Sequence, residues 1–194
     1  NLERLRPGAR RYADLDGDGA ITNKDIYYAG ETSPRLTFGF KAGLEWKGID
    51  VSAFFQGVGK QVILRGGSVY APFVVNYVRQ NYTFMGKTWA PDHTNAEYPI
   101  LSRNQNFNKF NYNNIDASVQ KNRYIRLKSL VVGYSRPKQW IAKAGLNKLR
   151  VYFSGDDLWE WTKIKDGYDP ENGEGGNTTF PFSRLLTFGI DVTF

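Results

Sequence analysis

Apolar and polar residues alternate most cleanly at the end of the chain. Over 183–194, Leu186, Phe188, Ile190, Val192 and Phe194 share one face, and Thr187, Gly189, Asp191 and Thr193 the other, with Leu185 the apolar exception. This is the period of a β-strand. Two architectures share it: a soluble sandwich buries the apolar face, and a membrane barrel turns it toward lipid. A closing aromatic with no polar tail favours the barrel. The same alternation recurs over 36–46, where Leu36, Phe38, Phe40, Ala42, Leu44 and Trp46 oppose Thr37, Gly39, Lys41, Gly43 and Glu45. Lys47-Gly48 then predicts a tight turn, and Ile49, Val51, Ala53 and Phe55 return as the partner strand over 49–56.

Two more strands follow a long interval. Over 123–135, Ile125 and Leu127 share a face, but Leu130, Val132 and Tyr134 continue one residue out of phase, which predicts a bulge near Ser129. Residues 137–144 read as a short helix closed by Gly145, and 149–156 as the fourth strand. The fold expected is all-β, with five antiparallel strands. Short connections alternate with long ones at 57–122 and 163–181, as in transmembrane barrels with short periplasmic turns and long extracellular loops. Val69 to Tyr82 predicts a short helix within the first long connection, and Asn is abundant from Asn104 to Asn122. Trp46, Trp140, Trp159 and Trp161 fall at predicted strand ends or beside turns, either as an interfacial girdle or as ordinary packing.

Composition narrows the picture. The chain has 194 residues, 15% of them aromatic, and a mean hydropathy of −0.51. It has no apolar run long enough for a membrane helix, which leaves a β-barrel open. No cysteine is present, so disulfides, thiol catalysis and cysteine-ligated metals are excluded. The net charge of +7 is spread along the chain without a nucleic-acid motif, so no nucleic-acid partner is expected. Asn1 is not an initiator, so a mature or truncated chain is expected.

Candidate chemistry concentrates in residues 1–35. Asp14-Leu15-Asp16-Gly17-Asp18-Gly19-Ala20-Ile21-Thr22-Asn23-Lys24-Asp25 has the form of a twelve-residue calcium loop. Asp14, Asp16 and Asp18 occupy positions 1, 3 and 5, Gly19 supplies the sharp turn, Ala20 offers a carbonyl and Asp25 closes the loop. Asp replaces the usual final Glu, and no helix precedes the loop, so a Ca2+ that stiffens a surface loop is expected rather than a paired switch. The alternative is a solvated Asx turn without metal. Catalytic constellations are missing. His93 is the single histidine. Asp156 and Asp157 stand on opposite faces of a regular strand and could converge with Glu160 only through a bulge. Gly66-Gly67 and the glycines of 173–176 lack the strand–turn–helix setting of a phosphate loop. The chain is not expected to be an enzyme.

An ordered set of segments carries a resemblance. It runs from Tyr12-Ala13-Asp14-Leu15-Asp16-Gly17-Asp18-Gly19, through Leu44-Glu45-Trp46-Lys47-Gly48-Ile49-Asp50-Val51-Ser52 and Phe54-Phe55-Gln56-Gly57, to Tyr98-Pro99 and Leu101-Ser102. Tyr124-Ile125-Arg126-Leu127-Lys128, Gly133-Tyr134, Leu149-Arg150-Val151-Tyr152, Ser154-Gly155, Thr162-Lys163, Gly167-Tyr168-Asp169-Pro170 and the last strand complete it. In this order they resemble the carboxy-terminal part of SusC/RagA-type TonB-dependent outer-membrane transporters of Bacteroidetes, over nearly the whole chain. The resemblance implies a barrel of about 22 strands with a plugged lumen. It further implies a SusD-like surface lipoprotein as a lid, uptake of oligosaccharides or peptides, and energy from TonB acting on an amino-terminal segment. That segment, the plug and the remaining strands are expected outside these residues, with outer-membrane lipid around the wall. Five strands cannot close a barrel, and open edges in lipid would cost several kcal/mol per unpaired group. Residues 1–35 and the two long connections would be extracellular and the carboxy terminus periplasmic. Tyr70, Tyr77, Trp89 and Tyr98 then stand as substrate or lid contacts, or equally as packing within the loop. The competing reading is a soluble, secreted calcium-binding β-sandwich that binds glycans or serves adhesion.

Overall fold

The computed structural model describes residues 6–65, 84–112, 116–164, 167–172 and 182–194. The chain divides into two compact units. One comprises Ser33–Gln61, Lys121–Asn172 and Phe180–Phe194 and holds a five-stranded antiparallel sheet. Its strands are β1 (Leu36–Trp46), β2 (Ile49–Lys60), β5 (Tyr124–Ser135), β6 (Lys148–Thr162) and β7 (Leu185–Thr193), hydrogen-bonded in that order. Between β2 and β5 lie two short paired strands, β3 (Val62–Leu64) and β4 (Val119–Lys121).

All five predicted strands are present. β2 runs to Lys60 and β6 to Thr162, beyond the expected ends at Gln56 and Asp156. The first extension continues through Gly57, where the Phe38 ring fills the space a side chain would take: a Cβ there would lie 2.4 Å from the Phe38 Cζ. The 57–122 loop therefore shortens, and 163–181 begins at the true end of β6. The β1–β2 turn has Lys47 at φ 48° and Gly48 at φ 86°. That is the left-handed pair a two-residue hairpin needs to match strand twist. The helix closed by Gly145 also forms, as Lys138–Ile141 continued by a 3₁₀ turn over Ala142–Ala144.

The apolar residues fall into register across all five strands. Phe40 pairs with Phe55, which pairs with Leu127, which pairs with Trp159. At another level Leu44, Val51, Val132, Phe153 and Phe188 line up. This face stays open: Leu44, Trp46, Ile190 and Val192 are exposed, and Phe188 is 80% accessible. A sandwich would pack a second sheet here, but the second sheet among the described residues is the short β3–β4 pair. Strands of 9 to 15 residues meet the span of about 9–11 that a tilted membrane strand requires. No helix among the described residues is long and apolar enough to cross a membrane.

The bulge lies at Lys128, one residue from the expected position. Phe54 pairs with Ser129 and Phe55 with Leu127, so Lys128 is left over against β2. On the other side, Ser129 pairs with Asp156 and Leu127 with Trp159, leaving Asp157 and Leu158 over in β6. Asp157 takes φ 53° to make that detour.

The second unit comprises Asn1–Thr32, Val62–Gln120 and Gly173–Thr179. Its core is aromatic: Phe84 meets Tyr98 at 4.6 Å and Tyr112 at 6.1 Å, both edge to face. The asparagine-rich stretch turns out to be helical over Gln105–Tyr112. Asn104 explains why, since its Oδ1 accepts the N–H groups of Asn106 and Phe107 and caps the helix. Buried Asn108 and Asn111 then bind neighbouring backbone, Asn108 Nδ2 donating to the Ser102 carbonyl and Asn111 Oδ1 accepting from the Arg10 N–H. The helix expected within Val69 to Tyr82 lies outside the described residues.

Candidate functional site

Three features carry chemistry. The first is the polar face of the five-stranded sheet. Arg150 on β6 donates from Nε and Nη2 to Asp50 on β2, at 2.9 and 2.6 Å, and from Nη1 to Asp191 on β7 at 3.2 Å. To reach Asp50 the guanidinium must cross β5, and it does so over Gly133. A Cβ at that position would stand 2.6 Å from Arg150 Nε and 2.5 Å from Asp50 Oδ1. Three strands are thus tied by one arginine, across a fourth. Such bidentate carboxylate pairing suits the planar fork of Arg and not Lys.

The second feature sits at the bulges. The Arg126 side chain is 2% exposed, and its guanidinium meets Glu160, Asp169 (2.7 Å), Glu171 (3.2 Å) and Asp157 (3.9 Å). Lys128 Nζ reaches Asp157 at 3.0 Å and Glu171 at 2.9 Å. The bulge is what brings Asp157 onto this face beside Glu160. The convergence that a regular strand forbids therefore occurs here, and the carboxylates it gathers are tied to cations. Sequence reasoning missed Arg126 and Lys128 as partners, because the pairing depends on β6 running past Asp156 and on a segment beyond it folding back.

The third feature is the acidic loop. Single carboxylate oxygens of Asp14, Asp16 and Asp18 lie within 4.8 Å of one another. Glycines at φ 76° (Gly17) and φ 83° (Gly19) bend the backbone around them. Asp14 accepts the N–H groups of Gly17 and Gly19, and Asp18 that of Ala20. Asp25 does a different job: it accepts from Leu15 at 2.7 Å and Thr22 at 2.6 Å, closing the loop through backbone. The Thr22 N–H bond, then that of Leu15, holds the Asp25 carboxyl below its ordinary value. Lys24 Nζ stands 3.6 Å from both Asp16 and Asp18. The three converging carboxylates fit a hard divalent cation. Asp25 stands outside that trio, and Lys24 competes for it.

Of the aromatic candidates, Trp89 packs under Gly8, where a Cβ would lie 2.5 Å from its ring, and Tyr98 packs edge-on against Phe84. Tyr70 and Tyr77 lie outside the described residues.

An antiparallel sheet with one open apolar face and one ion-paired face has the pattern of a membrane β-barrel wall. No family model matches the chain. It is 31% identical over 206 residues to TonB-dependent receptor P3 of Formosa agariphila and 28% identical over 210 residues to TonB-dependent receptor P26 of the same organism. These alignments take in 97% and 96% of this chain but 19% and 20% of the relatives, so the chain spans about a fifth of their length. Among solved structures, the RagAB peptide importer in its open-open state gives a TM-score of 0.70 at 23% identity, over 94% of this chain and 20% of that one. The RagAB peptide transporter gives 0.67 at 23% identity. The chain belongs to the TonB-dependent receptors and matches one segment of them. That family resides in the outer membrane, where an uncovered apolar face is at home.

Proposed function

We propose that this segment forms part of the wall of an outer-membrane importer, with lipid against its apolar face and the solute passage on its ion-paired face. The carrying observation is the apolar register that crosses all five strands and stays open. The passage would take oligosaccharides or peptides, the latter class supported by the peptide importer among its structural neighbours. A SusD-like lipoprotein would cover the extracellular side, where residues 1–35 and the long connections would lie with Trp89 and Tyr98. TonB would act through an amino-terminal segment beyond these residues, and the carboxy terminus would be periplasmic. Ca2+ held by Asp14, Asp16 and Asp18 would stiffen the acidic loop.

The test is extraction of the intact receptor from outer membranes in mild detergent, followed by uptake assays in cells with and without TonB. A complex with a surface lipoprotein, and TonB-dependent accumulation of a fluorescent casein hydrolysate or a fluorescent oligosaccharide mixture, is expected. A receptor recovered in the aqueous fraction would refute the reading.

A further inference from the structure

Both ends of the β6–β7 connection return to the same two cations. Beyond β6, Asp169 and Glu171 reach Arg126, and Glu171 also reaches Lys128. Just before β7, the Phe182 ring centroid lies 5.7 Å from the Arg126 guanidinium and 5.1 Å from Lys128 Nζ. These are cation–π distances. A separate tie comes from Asn122, whose Nδ2 donates to the Pro170 carbonyl at 2.9 Å and to Gln61 Oε1 at 2.7 Å. Within the segment, Asp169 Oδ1 accepts the Glu171 N–H at 2.8 Å, fixing the turn that presents both carboxylates.

We propose that Arg126 and Lys128 are a positioning pair that seats residues 167–172 and Phe182 as a strap on the polar face of the sheet. In the importer reading, on which this rests, the strap forms part of the passage surface and sets the fit of the solute. The charges explain why the strap is docked by directed bonds rather than by neutralisation. Asp157 and Glu160 on β6 already balance the two cations, and Asp169 and Glu171 add two further negative charges. Removing the strap carboxylates therefore leaves no orphaned buried cation, which makes them the clean side to perturb.

The experiment uses the full-length receptor carrying Asp169→Asn with Glu171→Gln. Hydrogen exchange over 167–172 should rise about tenfold or more as the strap opens locally, while the β1–β2 hairpin stays unchanged. Apparent KM for uptake of the fluorescent casein hydrolysate or oligosaccharide mixture should rise, with maximal rate and receptor abundance retained. Arg126→Lys, which keeps the charge but loses the fork, should give an intermediate exchange rate. Unchanged exchange in both variants would overturn the clamp. Faster exchange with unchanged uptake kinetics would overturn the positioning role. If the wild-type receptor takes up neither probe, the importer reading fails, and exchange alone still decides whether the clamp exists.

Discussion

Placing a cation at Phe188 tests the assignment of faces directly. Phe188 lies in the middle of β7, is 80% exposed, and packs its ring 5.2 Å from Phe153 on β6. If this face meets lipid, Phe188→Arg sets a guanidinium near the bilayer midplane, at a cost of about 2–4 kcal/mol. It also removes an aromatic pair worth roughly 0.5–1.5 kcal/mol. The lipid term alone shifts the folded-to-unfolded ratio about 30- to 1,000-fold. Thr187→Arg moves the same group to the opposite face, across from Ser154, where a change of about 0.5 kcal/mol or less is expected. The assay is the fraction of full-length receptor in outer membranes that runs as a folded band on unheated gels, for both variants at matched expression. Phe188→Arg should deplete that band and Thr187→Arg should not. Equal loss in both, or none in Phe188→Arg, would refute the lipid-facing assignment.

Three further outcomes follow from the sites. Gly133→Ala should cost about 1–3 kcal/mol by driving Arg150 off Asp50. Combined with Arg150→Ala in a double-mutant cycle it should cost less than the sum, and strict additivity would show that the two do not touch. The Asp25 carboxyl titrates below its ordinary value of 3.8, so its contribution to loop order is present above that pH and lost as pH falls through the lower folded value. Protection of the Leu15 and Thr22 amides, relative to their intrinsic exchange rates, should therefore fall on acidification through that range, and Asp25→Asn should flatten that dependence. In calorimetry, Ca2+ binding should be weakened by Asp16→Asn and strengthened by Lys24→Ala, which removes an ammonium 3.6 Å from two of the carboxylates. Absence of binding at millimolar Ca2+ would rule the site out.

Period-two alternation was enough to locate every strand of the large sheet, because each buries or exposes whole faces and a slip by one residue would invert them. The phase change after Leu127 was legible for the same reason. What alternation cannot show is where a strand stops. Gly57 looks like a terminator until Phe38 is seen covering it, and Asp156 looks like the end of its strand until the bulge absorbs the extra residues beyond it. The convergence of Asp14, Asp16 and Asp18 was readable from spacing, but the backbone bonds of Asp25 were not, since a carboxylate that accepts backbone N–H groups and one that faces a cation have the same letter. The Arg126 cluster was not readable at all. Its members are spread from Arg126 to Glu171 and meet only through tertiary return of the chain.

The bulges also make residue number a structural variable. At one level of the wall, β2 contributes no extra residue between aligned pairs, β5 contributes Lys128, and β6 contributes Asp157 and Leu158. The number of extra residues rises by one from strand to strand. Any substitution at Lys128 leaves this count intact. Deleting Lys128 would set Ser129 directly after Leu127 in regular alternation against β2, with Arg126 still on the charged face and Leu130, Val132 and Tyr134 still on the apolar one, at the cost of the Lys128 ammonium. A deletion within the regular stretch 131–133 would instead turn the residues on one side of it to the opposite face, so the wall tolerates a change of length at the bulge but not beside it.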